Sequence, residues 1–599
     1  MKIADVYVNL PLYKSFSYIV KGEEFLYRRV KIPFGRRKLN GFVFRLKEKE
    51  EKTDNYKEIE EVLDKKAFID EKYALFLDKI SEDLLFPKGK VFFLSLPPFY
   101  DFVEEPLSFD LLEIPKRPLL KVGTFDFKLV EKEIERDLKE GKEPFLVFSD
   151  YSVQDYFLEN FEKQKKYHTL DFREGKGKKK WEKYYRGDGD IVSGILYPLF
   201  LPKRRRTVVY LIDEGPQRFY LNYPFPMDLR DIAISLYRKK VVEIKIFSFS
   251  PSLKIFDFIK KEKGEIVSIE KKRGKIYLAP IKRNTFSKEI RDKTAENLEK
   301  KRILFLINRS AKDKFLYCPK CKIVATCSKD GAILFFDEKE QKAVCPVCRK
   351  KYAFPMKCPV CGTKYVVIGG VGLSSVEKSL KKAFPDKDVL VFSRKSISKS
   401  KKEKKLIKDF VEGSYDFLIG TEAVVKPFFI KNLSLIVYFF PELDLGFENP
   451  EITEKIFYNL KILNSMLSDD GEMIIKSKNP DFYAIEEFLK GDFRSFLEKE
   501  ESIRKKLKYF PFTNLVVIRV VSKNRETSLK KIRKFKKLLD NSKGEEEIFG
   551  PFYKRFSGGF SSFYLVIRGE ELSPIVKNIS SHLFPVADTS VSFFINRFS

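Results

Sequence analysis

Cys318–Gly362 reads CPKCKIVATCSKDGAILFFDEKEQKAVCPVCRKKYAFPMKCPVCG and holds all seven cysteines of the 599-residue chain. Three pairs, Cys318/Cys321, Cys345/Cys348 and Cys358/Cys361, have two residues between the thiols. That spacing lets two thiolates reach one tetrahedral Zn²⁺. Cys327 stands alone, and the residue three positions on is Asp330. A carboxylate oxygen is an accepted zinc ligand, so two four-ligand sites are open to the segment, one of them imperfect. Buried thiols or disulfides are the alternative, but knuckles closed by Pro or Gly suit zinc, and no signal peptide points to an oxidising compartment. His168 and His582 lie far from the cysteines, and an all-thiolate site leaves no position for water, so the expected zinc is structural.

Outward from this segment the chain alternates apolar runs with polar, helix-like stretches. PLLKVG, EPFLVFSD, DIVSG, TVVYLIDEG and EIKIFSFS lie before it; VVIGGVG, KDVLVFS, YDFLIGTEAVVK and LSLIVYFF follow. Such alternation predicts largely parallel sheets flanked by helices. A first α/β lobe is expected over 119–275 and a second over 276–316 and 366–482, with a zinc-binding insertion at 317–365. Residues 1–100 instead alternate residue by residue (ADVYVNLPLYKSFSYIV, RRVKIPFGRRKLNGFVFRL), which predicts a small β domain. A proline-punctuated linker is expected at 101–118 and an α+β domain at 483–599.

The net charge is +31 with 15% aromatic residues, which makes a polyanion the expected partner. Single lysine runs such as Lys176–Lys183 also fit a solvated face; the total excess is harder to explain that way. No run reaches the ~18 apolar residues of a membrane helix, and MKIADVYVNL lacks a signal-peptide core, so a cytoplasmic protein without a membrane partner is expected.

PLYKSFSY followed by RRVKIPFGRRKLNGFV resembles the amino-terminal domain of the primosomal replication restart protein family (PriA type), which carries P-L-x-x-x-F-x-Y and then R-V-x-V-P-F-G. The resemblance extends over nearly the whole chain. It includes the zinc module inserted in the second of two RecA-like helicase lobes, and a blurred carboxy-terminal signature in which Phe510 precedes Pro511 and no arginine follows Gly559. A winged-helix domain usual in the family has no room in the 101–118 linker. The resemblance implies that Phe16 and Tyr18 stack on the terminal base of a nascent 3′ end, that Gly35 lets backbone approach the sugar, and that Lys57 takes a phosphate. Ser17 stands where the family usually has Asp. Inward packing of Phe16 and Tyr18 is the alternative. The resemblance also implies one zinc site from Cys318, Cys321, Cys358 and Cys361, and another from Cys327, Cys345 and Cys348 with Asp330 or water.

The family's ATP chemistry is where this sequence departs. The phosphate loop G-x-T-G-S-G-K-T corresponds to residues 122–129, VGTFDFKL, with Lys128 at the loop lysine but Val122, Phe125 and Phe127 at the glycines and Leu129 at the Mg²⁺-binding threonine. Backbone amides that cradle phosphates need glycine where a Cβ would collide, so two phenylalanines are expected to occupy phosphate space. The acidic motif survives only as Asp213–Glu214, and S-A-T-P becomes Ser248, Phe249, Ser250 and Pro251. No arginine lies between Arg394 and Arg494, where the finger arginine belongs; such a residue contributes ~10³- to 10⁵-fold to phosphoryl transfer.

Bound ATP and Mg²⁺ are therefore not expected, and Lys128, Asp213 and Glu214 read as vestigial. The leading expectation is a nucleoid-associated fork-binding protein that helps load the replicative helicase beside other primosome components, without its own ATPase. An active but divergent 3′ to 5′ DNA helicase is the enzymatic alternative, and a zinc-ribbon RNA-binding scaffold the third.

Overall fold

The computed structural model describes residues 2–22, 24–48, 56–101, 116–164, 166–173, 177–269, 274–279, 286–300, 302–307, 314–321, 323–328, 334–337, 340–345, 350–369, 372–392, 400–442, 451–477, 479–541, 545–555, 560–572, 574–575, 579 and 589–595. Most of the expected linker, together with Asp330 and Cys348, lies outside the described residues.

The period-two pattern of the first segment becomes a five-stranded antiparallel sheet, ordered Phe16–Val20, Lys2–Val8, Arg37–Glu48, Arg29–Phe34, Glu61–Val62. One face packs Ala4, Val6, Tyr18, Val30, Ile32 and Val43 into its own small core. The other turns Tyr7, Phe42 and Phe44 onto the helix Lys88–Ser95, where Phe42 stacks on Phe92 with ring centroids 4.6 Å apart. That helix crosses so close to the first strand that a Cβ on Gly89 would lie 1.9 Å from the Val8 carbonyl oxygen.

The first lobe is a seven-stranded, wholly parallel sheet, ordered Glu265–Ile269, Leu119–Gly123, Val242–Ser248, Thr207–Ile212, Glu143–Phe148, Ile191–Gly194, Thr169–Asp171. Its central strands are buried along their full length, as expected when helices cover both faces. The second lobe is a six-stranded parallel sheet, ordered Lys275–Ala279, Leu467–Lys476, Leu433–Phe439, Ile303–Ile307, Phe417–Gly420, Val389–Phe392. Between two of its strands in sequence, a five-stranded antiparallel sheet (Lys314–Tyr317 to Val366–Gly369) carries the cysteines. The chain is thus a multidomain α/β protein with two parallel-sheet lobes and a cysteine-bearing insertion in the second.

The carboxy-terminal region splits. Helices Tyr483–Lys490 and Phe493–Leu507 pack on the lobes, with Phe496 stacked on Phe457 of the second-lobe helix Ile452–Met466 at 4.0 Å and Phe493 against Phe256 of the first lobe. Beyond them a four-stranded antiparallel sheet buries one face under the helix Arg525–Asn541 through Ile532, Phe535 and Leu539. The amino-terminal helices, the first lobe and one face of the second lobe form a single continuous apolar cluster. The two lobes therefore share a core. No helix among the described residues is long and apolar enough to cross a membrane.

Candidate nucleic-acid interface, metal centre and nucleotide cleft

In the amino-terminal sheet, Phe16 opens an edge strand and is half-buried, its ring edge-on to Phe34 at 5.0 Å and beneath the Lys14 ammonium at 5.3 Å. Phe34 leads directly into Gly35, whose φ of +60° belongs to the left-handed region that glycine enters without strain. Nothing lies within 4 Å of where a Cβ on Gly35 would be, so the turn is open to an approaching ligand. Tyr18 shares the face of Phe16 but not its exposure. It is 5% exposed, its hydroxyl donates to the Pro33 carbonyl oxygen at 3.2 Å, and burial pushes its phenol up to about 12. Phe16 is therefore the reachable ring of the two, while Tyr18 braces the turn from below. Lys57 is exposed, and its carbonyl accepts from the Ile19 amide at 2.9 Å, which sets its segment alongside the Phe16–Val20 strand. Ser17 donates to Asp5 at 3.2 Å. Phe34 was the residue missed from sequence, although it stands inside the string that marks the turn.

At the knuckles, the sulfurs of Cys318, Cys321, Cys358 and Cys361 all lie within 4.8 Å of one another, with Cys318 and Cys361 3.5 Å apart. A tetrahedral zinc with bonds of about 2.3 Å separates its thiolates by about 3.8 Å, so this set fits Zn²⁺ closely. Each knuckle turns its amides toward sulfur, as the Cys321 amide does to the Cys318 sulfur at 3.4 Å. Cys327 and Cys345 are buried in the same module, and the Tyr352 hydroxyl donates to the Cys327 sulfur at 3.0 Å.

In the region matching the phosphate loop both phenylalanines are buried. Phe125 is 3% exposed and packs with Phe247 and Phe249 of the first lobe and Phe428 of the second, at centroid distances of 5.7, 4.9 and 5.5 Å. Phe127 starts the helix Phe127–Lys139 and turns inward onto Phe157 and Phe161, so it forms the floor and does not itself obstruct the cleft. The Asp126 carboxylate accepts from the Leu129 amide at 3.1 Å, putting the chain's own anion at the helix terminus where a phosphate would sit. Lys128 is exposed on the outside of that first turn.

The acidic pair is sealed. Asp213, at φ +65°, and Glu214 are both 0% exposed, and every carboxylate oxygen has a donor. Asp213 receives the Tyr458 hydroxyl at 2.7 Å, the Ser149 hydroxyl at 2.6 Å and the Arg218 guanidinium. Glu214 receives Arg230 at 3.1 Å and the Ser252 hydroxyl and amide at 2.6 and 3.1 Å. Burial pushes both carboxyls above their usual range, with the arginines opposing. Tyr458 belongs to the second lobe, and its ring sits so close to Gly215 that a Cβ there would fall 2.3 Å from it. The residues as arranged do not fit a magnesium ion bridging to a triphosphate. A cavity of about 510 Å³ remains beside Gly123 and Thr124, bounded across the seam by Lys461, Asn464 and Lys490; neither Asp213 nor Glu214 lines it.

A buried ionic network completes the seam. Arg504 on Phe493–Leu507 binds Glu500 at 2.8 Å and Glu454 of the second lobe, and Glu454 accepts from the Leu253 amide of the first lobe at 2.6 Å. Glu451 accepts from the Tyr220 hydroxyl at 2.9 Å across the same boundary.

Residues 5–97 match the family model described as 3′DNA-binding domain (3′BD) of PriA. Curated relatives include the replication restart protein PriA of Borreliella burgdorferi, 28% identical over 384 residues, and that of Thermotoga maritima, 24% identical over 419 residues. The matches cover 62% and 67% of this chain but only 58% and 56% of those proteins. Among solved structures, S. cerevisiae Dbp5 bound to RNA and ADP BeF3 matches at a TM-score of 0.37 and 13% identity, over 73% of this chain and 95% of that one. Residues 5–97 thus match the PriA 3′DNA-binding domain, and about two thirds of the chain is similar to curated PriA replication restart proteins, of whose length it spans little more than half.

Proposed function

We propose that this chain grips forked DNA at stalled replication forks by the 3′ end of the nascent strand and supports restart without turning over ATP. The observation that carries this reading is the open turn at Gly35, with Phe16 and Phe34 beside it and Lys57 alongside the same strand, inside a domain that matches a 3′ DNA-end binder. An aromatic ring holds a strand end with little regard to sequence, and a nearby ammonium neutralises its phosphate. The sealed acids and the ring-filled turn support the second half of the reading: Asp213 and Glu214 serve architecture, not hydrolysis, and Lys128 stands exposed outside the cleft.

The zinc module would serve as the platform for other primosome components and for the replicative helicase or its loader, with a second zinc held by Cys327, Cys345 and Cys348 together with Asp330 or water. Such a protein works in the cytoplasm, on the nucleoid. Two measurements test the proposal together. Fork affinity should fall at least several-fold when the free 3′ end is removed or blocked, and equal affinity for both forks would end the role of Phe16, Gly35 and Lys57. ATP hydrolysis should stay at background with and without DNA; DNA-stimulated turnover abolished by Asp213→Asn would establish a working motor.

A further inference from the structure

Phe16 opens an edge strand whose ladder runs along Lys2–Val8, with a single bridge to Glu58 farther on at Ile19. At such an end the ring is placed as much by the loop that delivers it as by the sheet. That loop, residues 9–15, is tied to its own domain at the start, where the Asn9 amide donates to the Asn40 carbonyl oxygen at 3.0 Å. The next bonds, Leu10 amide to Val8 at 2.6 Å and Leu12 amide to Leu10 at 2.7 Å, close two-residue turns and fix nothing at long range. Tyr13 then leaves the domain. Its ring meets Phe593 edge-on, with centroids 5.5 Å apart and planes at 80°, an arrangement in which aromatic rings attract. Phe593 belongs to the strand Thr589–Ile595 and is 4% exposed in the core that the carboxy-terminal sheet shares with the helix Arg525–Asn541. Tyr13 packs against that core beside Leu85, which follows the helix Glu71–Asp83.

The two sides of the strand-end site are therefore braced differently. Tyr18 holds the Gly35 side from within the domain, whereas the Phe16 side is held from the far end of the chain. Three residues of extended backbone reach about 10 Å at most, so a shift of Tyr13 passes to Phe16 with little slack. It passes also to Lys14, whose ammonium lies 5.3 Å from the centre of the Phe16 ring. We propose that Tyr13 is a positioning residue for the strand-end site, and that the carboxy-terminal sheet, through Phe593, holds the loop that sets the Phe16 ring. A loop released from this contact must be ordered anew on binding, which weakens it. The inference rests on the fork-binding reading and deepens it: the segment 5–97 does not brace its own stacking ring, and recognition of the strand end belongs to the full chain. The sheet acts here on the protein's own loop, with no DNA contact of its own.

The test titrates the full chain with forks that carry or lack a free 3′ end, and with a fork whose 3′-terminal base is 2-aminopurine, whose emission falls on stacking. One base stacked on a ring is worth about 5- to 100-fold in affinity. Tyr13→Ala should remove most of that factor from the free-end fork, restore the 2-aminopurine emission and leave the fork without a free end bound as before. Tyr13→Phe keeps the ring and should match the parent in all three readings. Phe593→Leu keeps the core apolar while removing the ring edge, and should shift the same readings in the same direction. Combined with Tyr13→Ala it should add nothing, because both remove one contact. Parental discrimination and quenching in a folded Tyr13→Ala variant would overturn the proposal, as would an equal loss of affinity for both forks. Should Tyr13→Ala fail to fold, Phe593→Leu decides alone, and parental discrimination there overturns the proposal. Failure of the fork-binding reading has another signature: the unmodified protein would not distinguish the two forks.

Discussion

The turn at Gly35 and the turn after Gly123 both present a glycine at positive φ beside phenylalanine, yet they have opposite fates. At Gly35 the space in front of the backbone is empty and the neighbouring Phe16 keeps part of its ring outside. At Gly123 a Cβ would lie 2.1 Å from the Ile269 carbonyl, and Phe125 bridges the two lobes with its ring wholly buried. An aromatic residue left at a strand edge is available for stacking, whereas one enclosed on every side contributes only to folding. One region has kept a surface for ligand; the other has spent its surface on holding the lobes together.

The comparison breaks first at the seam. Arg504→Leu strands Glu454 and Glu500 as buried carboxylates, and loss of one partner from such a cluster costs about 3–5 kcal/mol. We expect a large drop in the urea midpoint, with fork binding intact in the fraction that remains folded. A variant with parental stability would mean that the lobes do not depend on this network.

The two phenylalanines should then behave as mirror images. Phe125→Ala empties a packed ring site and should cost about 3–5 kcal/mol of stability, leaving affinity for a fork with a free 3′ end unchanged. Phe16→Ala should barely move the melting temperature and should weaken that affinity by about 1–3 kcal/mol, the worth of one base stacked on a ring. If Phe125→Ala instead unmasked ATP turnover, the enclosed ring would be a plug over a living site.

Much of this contrast was legible in the sequence because it rests on local rules. The two parallel lobes followed from apolar runs alternating with helical stretches; the knuckle pairs followed from two-residue spacing, and the joining of Cys318/Cys321 with Cys358/Cys361 from the family resemblance. The ring-filled turn followed from phenylalanine at glycine positions, although Phe127 proved to be floor. What escaped was long-range. Tyr458 meets Asp213 across 245 residues of sequence, and nothing in EITEKIFYNLKI marks one tyrosine as a seal. The helices of 483–507 read as the start of the last domain, yet they pack on the lobes, because their apolar stripe fits Phe457 and Phe256. Tyr18 and Phe16 share a pleat face in the sequence, and only the sheet shows that the first residue of an edge strand stays reachable while the third is covered.

The smallest expected effect separates two meanings of the seal. Tyr458→Phe keeps the ring over Gly215 and removes only the hydroxyl that donates to Asp213 at 2.7 Å. A buried acceptor oxygen left without its donor costs about 1–3 kcal/mol, and Ser149 and Arg218 still hold the other oxygen. Stability should therefore fall by less than in Phe125→Ala, and magnesium-dependent ATP hydrolysis should remain at background because the ring still covers the acid. Hydrolysis appearing in Tyr458→Phe would show that one hydroxyl, not the packed seam, keeps the pair silent, and the two turns would then differ by a switch instead of by architecture.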